Sequence, residues 1–542
     1  MKIRKPVAVL AAVGCLLLAA SAVAATALDT QANEPQVAGD PTSDTTAVFP
    51  TNKQNEPSIA VNPLNSAKLI AGANDEQLQP ACGPGPVRGA DAPRNDCSFF
   101  PGVGTDGVYT SSDGGSTWTN RGLLPGYSEF PGQPGTLVSD GDPSIVYGPK
   151  PDGRGFSFAK GARAYYVGLA SFAAGAASGN QAPELLGVST SNDNGVHWAD
   201  PVVAAQGHGF KFNDKPAVWA DKNPASPFFG RVYISWTQFR GSVFTFFAEP
   251  VMVTFSDDGG KTWSPPQKLS AAHNNGRVGG RQFTAVRAGA SDGTAYVAWE
   301  DSDLKGSKQV VAVSHDGGVT WSKPILIARI VDISDPIPGA NFRDDSGLSL
   351  AVDSRNGAVY AAWADARSGS GRILVSKSMS HGASWSTPAA VSRARDGYAF
   401  FQGLDVAPNG RVDVAFQALK ATEASTYGTG NASIDSFYVK STNGGTTWSS
   451  PVKVSSQASD PAASAQNNLQ RQFWGDYNTL VSTNANAWFV YTDSRHGVGC
   501  PAVDAYQHGF DGSGPVVDKP APEDACASQF GNSDAFVSKI TP

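Results

Sequence analysis

The chain has 542 residues, a formal net charge of −7 and only 16% charged residues, set against 59 glycines, 37 prolines and 12 tryptophans. Acidity argues against a nucleic-acid partner, which needs a basic face. The absence of helical periodicity excludes coiled coils and bundles, and leaves short strands joined by many turns.

In chain order, Lys2, Arg4 and Lys5 precede an apolar run from Pro6 to Ala25, with small residues at Ala25 and Ala27. Residues 1–27 therefore read as a signal peptide, whose removal takes the net charge from −7 to −10 and places the mature protein outside the cytoplasm, extracellular or periplasmic. No other segment is long and apolar enough to span a membrane. Residues 28–44, polar and proline-containing, read as a flexible leader.

From Thr45 onward the chain repeats itself. An apolar strand recurs as PSIAV at Pro57, PSIVY at Pro143, PAVWA at Pro216, FTAVR at Phe283, GLSLAV at Gly347 and GLDVA at Gly403. A second strand ending in an aromatic residue follows, as in VYISW ending at Trp236, AYVAW at Trp299 and VYAAW at Trp363. The third runs into an eight-residue phrase, and a fourth leaves it. The phrase is SSDGGSTW at Ser111, SNDNGVHW at Ser191, SDDGGKTW at Ser256 and SHDGGVTW at Ser314, with worn copies ending at Trp385 and Trp448. Its aspartate can bond the N–H groups of its own turn, its glycine supplies a positive φ, and its tryptophan anchors the hairpin, so its role is structural.

Four strands per unit of roughly 60 residues predict an all-β propeller. A last unit, GDYNTLV at Gly475, AWFVYTD at Ala487 and DAFVSKI at Asp534, has three strands; TTAVF at Thr45 is expected to supply its fourth and close a single domain over residues 45–542. Seven blades are expected, with six the alternative.

Cys82, Cys97, Cys500 and Cys526 follow the targeting segment, and local pairing predicts bridges Cys82–Cys97 and Cys500–Cys526. Both loops emerge between second and third strands, on the face opposite the repeated phrase. That face also receives the polar connections into the innermost strands, carrying Asn55, Glu56, Asp142, Asp214, Arg343, Arg471, Asp476 and Tyr477 around the axis. These groups either solvate the channel mouth or form a saccharide pocket, and Ca²⁺ could bind their oxygens. The phrases WADAR ending at Arg367 and YTDSR ending at Arg495, with WEDSD at Trp299 as a variant, read as Asp–Arg pairs holding blades together or as clamps for an anionic sugar. Trp219 and Trp474 are sugar platforms or buried wedges. No histidine spacing or catalytic motif calls for a metal or other cofactor.

The repeated phrase is the Asp-box, and with it nearly all of the mature chain resembles the sialidase superfamily of propellers. That resemblance implies three arginines gripping a carboxylate, an aspartate acid/base and a tyrosine nucleophile. Tyr477 in GDYNTL resembles the nucleophile segment, Asp75 in GANDEQ falls near the acid, and NFRDDSG with WADAR resembles an arginine pair displaced to blade five. The innermost strand of blade one carries Asn55 and Glu56 where the family has an arginine. The implied function is a secreted glycoside hydrolase of undefined linkage, monomeric, acting on a glycan with Tyr477, Asp75 and Asp476 as catalytic groups. The alternative is a non-catalytic propeller that binds polysaccharide or a cell surface.

Overall fold

A computed structural model describes residues 25–35, 53–76, 105–128, 137–172, 185–207, 211–242, 245–271, 280–303, 305–421, 432–466, 469–512 and 514–542. Among them the chain forms seven sheets, one per blade, arranged as a β-propeller and antiparallel apart from the short parallel pairing of Tyr127–Ser128 with the innermost strand of blade two. The innermost strands are Gln54–Val61, Leu137–Pro151, Lys211–Ala220, Arg281–Ala288, Leu348–Val352, Tyr398–Val406 and Thr479–Ser482. Each is followed outward by its second, third and fourth strands in chain order, except in blade seven.

There the outermost strand is Thr26–Gln31, paired from Thr26↔Thr541 to Gln31↔Phe536 with Asp534–Thr541. The strand expected at Thr45 lies outside the described residues. Thr26–Gln31 instead joins blade seven, at positions assigned from sequence to the end of the targeting segment and the start of a leader. An outermost strand is covered on one side only, so its apolar alternation is weak and easily missed. Its hold is polar. Arg495 Nη2 reaches Asp29 Oδ2 at 2.8 Å and Asp493 Oδ2 at 2.6 Å, all three nearly inaccessible, and its guanidinium lies 3.9 Å from the centre of the Phe536 ring. Trp118 Nε1 donates to Thr30 Oγ1 at 3.1 Å, and Asn33 Nδ2 donates to Gln54 Oε1 at 2.7 Å and Asp534 Oδ1 at 2.9 Å, tying blade one to blade seven.

The Asp-boxes behave as their residues dictate. In the first, Gly115 N donates to Ser111 Oγ at 2.8 Å, while Thr117 N and Ser116 N donate to Asp113 Oδ1 at 2.9 and 3.0 Å. Gly115 has φ 85°, open only to glycine without strain. The worn copies keep the geometry with weaker acceptors: Ser384 N donates to Ser380 Oγ, and Thr447 N to Asn443 Oδ1, each at 2.9 Å. Between blades the core is aromatic, with Trp236, Trp299 and Trp363 fully buried inside second strands that run beyond them, not ending at them as the sequence pattern suggested.

Cys500 and Cys526 are bridged, as expected, and Cys82 and Cys97 lie outside the described residues. The stapled loop of blade seven contains a helix, Pro501–Asp511, which the sequence reading did not foresee. Proline at its first position and the Cys500 anchor start it, and Val503 and Gln507 face inward, each 1% exposed.

Two outcomes follow from these contacts. Arg495→Ala strips Asp29 and Asp493 of their common cation and should lower stability by about 3 kcal/mol or more, read from the urea midpoint. Burial raises Asp113 and Asp316, but the combined hydrogen bonds of each turn, led by those from Thr117 and Thr320, outweigh it and bring both down to about 2. A depressed carboxylate stabilises the fold above its unfolded value near 4 and loses that contribution as pH falls towards 2. Thermal melting between pH 7 and 2 should therefore decline less steeply below pH 4 in an Asp113→Asn/Asp316→Asn variant than in the parent.

Candidate functional site

Five of the innermost strands enter the ring through the same local distortion. Glu56, Asp142, Lys215, Phe283 and Phe401 have φ between 44° and 58°, and at each the pairing with the second strand slips, between Asn55/Ser58, Gly141/Ser144, Asp214/Ala217, Gln282/Ala285 and Phe400/Gly403. A bulge of this kind re-aims side chains, here towards the axis, and left-handed backbone at a non-glycine residue costs on the order of 1–3 kcal/mol. In three blades a proline follows the distorted residue, at Pro57, Pro143 and Pro216, where its missing N–H removes a ladder donor that the bulge would strand. The innermost strands line a cavity of about 200 Å³, whose walls include Lys215, Asp345, Asp476 and Tyr477.

At the mouth, carboxylates converge around two cations. Arg343 grips Asp476 with two parallel bonds, Nε to Oδ1 at 2.7 Å and Nη2 to Oδ2 at 2.6 Å, and Lys215 Nζ donates to the same Asp476 Oδ2. Arg343 Nη2 also stands 3.6 Å from Glu56 Oε1. Asn74 connects the set, its Nδ2 donating to Glu56 Oε2 at 2.9 Å and its Oδ1 accepting from Asp142 N at 2.8 Å. Asp142 Oδ2 in turn accepts from Lys215 N at 3.1 Å. The Tyr477 hydroxyl is buried with no hydrogen-bond partner among the described residues.

Burial raises both acids, but their neighbours divide them. Asp142 is pushed well above the usual carboxylate range by burial and then by the charges of Glu56 and Asp214, which favours its protonated form. For Asp476 burial is overruled by Arg343 and Lys215, which hold it far below that range and ionised. Burial, Asp142 and Glu56 push the Tyr477 phenol up. Lys215, despite its burial, is kept protonated by Asp476, Asp214 and Glu56.

The structure thus brings together Asp142, Asp214, Arg343, Asp476 and Tyr477 from the sequence-derived set, and adds Lys215, which sequence reasoning missed. A lysine inside a strand reads as solvent-facing; the sign that could have found it is Pro216, since Lys215-Pro216 repeats the charged-residue-then-proline order of Glu56-Pro57 and Asp142-Pro143. Of the other expected residues, Trp219 lines the same cavity and the rest lie elsewhere. Asp75 is buried inside blade one, accepting from Gln54 Nε2 at 2.8 Å and from the Tyr109 hydroxyl at 2.5 Å. Arg367 pairs with Asp365 and donates to the Arg329 carbonyl of blade four at 2.7 Å. Arg495 belongs to the ring closure, and Arg471 pairs with Asp335 at 2.5 Å. Trp474 is fully buried, its Nε1 donating to Gln417 Oε1 at 2.9 Å, so it is a wedge and not a platform. Trp219 lies four residues past Lys215, about 13 Å further along its strand, with Lys222 and Arg287 covering its ring at 4.1 and 4.3 Å.

The stapled loop braces this arrangement. Asn341 N donates to Gln472 Oε1 at 2.9 Å, and Asn341 Nδ2 lies 3.4 Å from Gln507 Oε1 on the helix, so the segment carrying Arg343 is held from behind. Gly475, with φ 78°, lets Asp476 approach Glu56: a Cβ there would stand 2.7 Å from Glu56 N. Gly475→Ala should therefore cost about 1–3 kcal/mol of stability, measured by denaturant unfolding, and shift the Asp476 titration upward in carboxyl NMR as Arg343 loses its geometry.

Residues 254–265 and 312–323 match the model of the BNR/Asp-box repeat. No curated protein matches the chain in sequence. Among solved structures it is similar to a protein of unknown function from Dyadobacter fermentans DSM 18053, at 13% identity over 74% of this chain and 93% of that one, with a TM-score of 0.42. It is also similar to a Hadza microbial sialidase, at 14% identity, 72% and 67% coverage and a TM-score of 0.39. An α-L-arabinanase of Penicillium chrysogenum complexed with arabinobiose gives 12% identity, 75% and 98% coverage and a TM-score of 0.39. Among the described residues no helix is long and apolar enough to cross a membrane. The chain is a seven-bladed β-propeller carrying BNR/Asp-box repeats.

Proposed function

We propose that this propeller is a secreted, monomeric glycoside hydrolase that works at the mouth of its central channel, with Asp142, Asp476 and Tyr477 as its reactive groups. The observation that carries the reading is the unequal setting of two buried carboxyl groups, Asp476 clamped by Arg343 and Lys215 and Asp142 in no ion pair among the described residues, beside a phenol whose hydroxyl has no partner. Groups whose surroundings drive their protonation apart are how acid and base roles are set within one site. Asp142 is the proton donor to a departing sugar oxygen, a role first expected of Asp75. Tyr477 offers the oxygen that bonds the anomeric carbon as the glycosidic bond breaks, and its phenol proton passes to the Glu56 carboxylate. Water then releases the sugar from Tyr477, and Asp476 supplies negative charge to the oxocarbenium-like transition states.

The charges also bear on the substrate. Arg343 and Lys215 are both engaged by Asp476, leaving no unpaired cation of this cluster to grip a sugar carboxylate. A neutral glycan fits this mouth better than a sialoside, which departs from what the sialidase resemblance implies.

The test is a panel of neutral and acidic glycosides and polysaccharides with the parent protein and two variants. Asp142→Asn and Tyr477→Phe should each lower kcat by about 10²-fold or more while leaving ligand affinity within a few-fold, because each removes one proton-bearing group and little volume. Glycan binding with no turnover of any substrate, and with affinity reduced by about 0.5–1.5 kcal/mol in Tyr477→Phe, would establish a binding module instead.

A further inference from the structure

Blade four departs from the repeat at one position. The second strands of blades five and seven end in Trp363-Ala364-Asp365 and Tyr491-Thr492-Asp493, with Ala364 and Thr492 fully buried. In blade four the same phrase is Trp299-Glu300-Asp301. Asp301 finds a cation in Arg281, at 3.6 Å. Glu300 replaces a small buried residue with a carboxylate that is 5% exposed, and its Oε2 has no hydrogen-bond partner.

Two more carboxylates converge on it. Asp332 follows the outermost strand of blade four, Asp345 precedes the innermost strand of blade five, and one oxygen from each of the three groups lies within 4.8 Å of the others. Asp332 is oriented by the Ser307 hydroxyl, which donates to its Oδ2 at 2.5 Å, and Asp345 by the Ser346 N–H, which donates to its Oδ1 at 2.7 Å. Gln309, directly opposite Glu300 in the strand ladder and therefore on the same face, keeps a buried Oε1 without a partner. Among the described residues no lysine or arginine forms an ion pair with Glu300, Asp332 or Asp345, whereas Asp476 has two such partners. Burial and mutual repulsion push Glu300 well above the usual carboxylate range and Asp345 up to about 6. An oxygen-rich cluster with no cation of its own is the donor set of a hard divalent ion.

We propose that Glu300, Asp332 and Asp345 bind Ca²⁺ at the junction of blades four and five. Oxygens on opposite sides of a Ca²⁺ shell stand about 4.6–5.2 Å apart, so three oxygens within 4.8 Å of one another fit inside it, and the flexible geometry of Ca²⁺ suits a preset cluster better than the strict octahedron of Mg²⁺. The place differs from the axial mouth, where Lys215 and Arg343 already neutralise the carboxylates. It is not remote from it, because Asp345 lines the cavity and lies two residues from Arg343. The proposal does not depend on glycan chemistry.

The experiment uses the mature full-length protein, freed of metal with EDTA and titrated with CaCl₂ by calorimetry, with thermal melting in parallel. One Ca²⁺ should bind with a saturable rise in Tm that EDTA reverses, and Mg²⁺ should be weaker. Asp332→Asn, at an exposed position where folding is not at stake, and Glu300→Gln should each weaken binding by at least about tenfold, the loss that even an outer-shell partner can cause. Asp303→Asn, which removes a half-buried acid of the same blade that pairs with Lys308, should leave Ca²⁺ affinity unchanged. Absence of binding up to about 10 mM Ca²⁺, tenfold beyond the weakest extracellular sites, or undiminished binding in Asp332→Asn, would overturn the proposal.

Discussion

The fold depends on ring closure. Each blade buries its faces against its neighbours, so a break between blades seven and one would expose two apolar faces at once. The contact that prevents it is made by six residues near the start of the chain, and its centre is Arg495, held between Asp493 of the second strand and Asp29 of the outermost one. The Trp118 and Asn33 bonds extend the same seam into blade one. Seven repeats that could each pair locally are thereby converted into one cooperative object, since the last sheet is incomplete until the chain's beginning joins its end.

Closure also determines what happens on the axis. Seven innermost strands bring their first residues to a narrow mouth, and the chain places acids there in excess of bases. Lys215 and Arg343 set the outcome by acting on Asp476 and leaving Asp142 to be governed by burial and by Glu56 and Asp214. Two chemically identical groups are pushed in opposite directions by their position relative to two cations. The stapled helix contributes rigidity at second hand, through Gln507 and Asn341, to the segment that delivers Arg343.

Much of the architecture was legible because repeats announce themselves. The Asp-boxes, the apolar strands and the three-stranded last unit together gave seven blades, and the WADAR and YTDSR phrases gave Asp–Arg pairs. The site was legible in part. Asp142, Asp214, Arg343, Asp476 and Tyr477 could be placed at one mouth because strand starts share a face, but Arg367, Arg471 and Arg495 share that face and turn to private partners. Such preferences depend on neighbours from distant segments, such as Asp335 for Arg471. The closing strand at Thr26 was missed because a half-exposed strand has little alternation, and Lys215 because a bulge, not the strand period, aims it inward.

Those bulges have a consequence for how such a ring can be altered. At Glu56, Asp142, Lys215, Phe283 and Phe401 the backbone performs the same manoeuvre while the side chain is acidic in two blades, basic in one and aromatic in two. The conformational expense is met by the scaffold irrespective of what is displayed, which makes each position a socket whose occupant can be exchanged without redesigning the blade beneath it. A nearly sevenfold object can in this way present a thoroughly unsymmetrical set of charges, and a handful of substitutions at these sockets would suffice to convert one specificity into another.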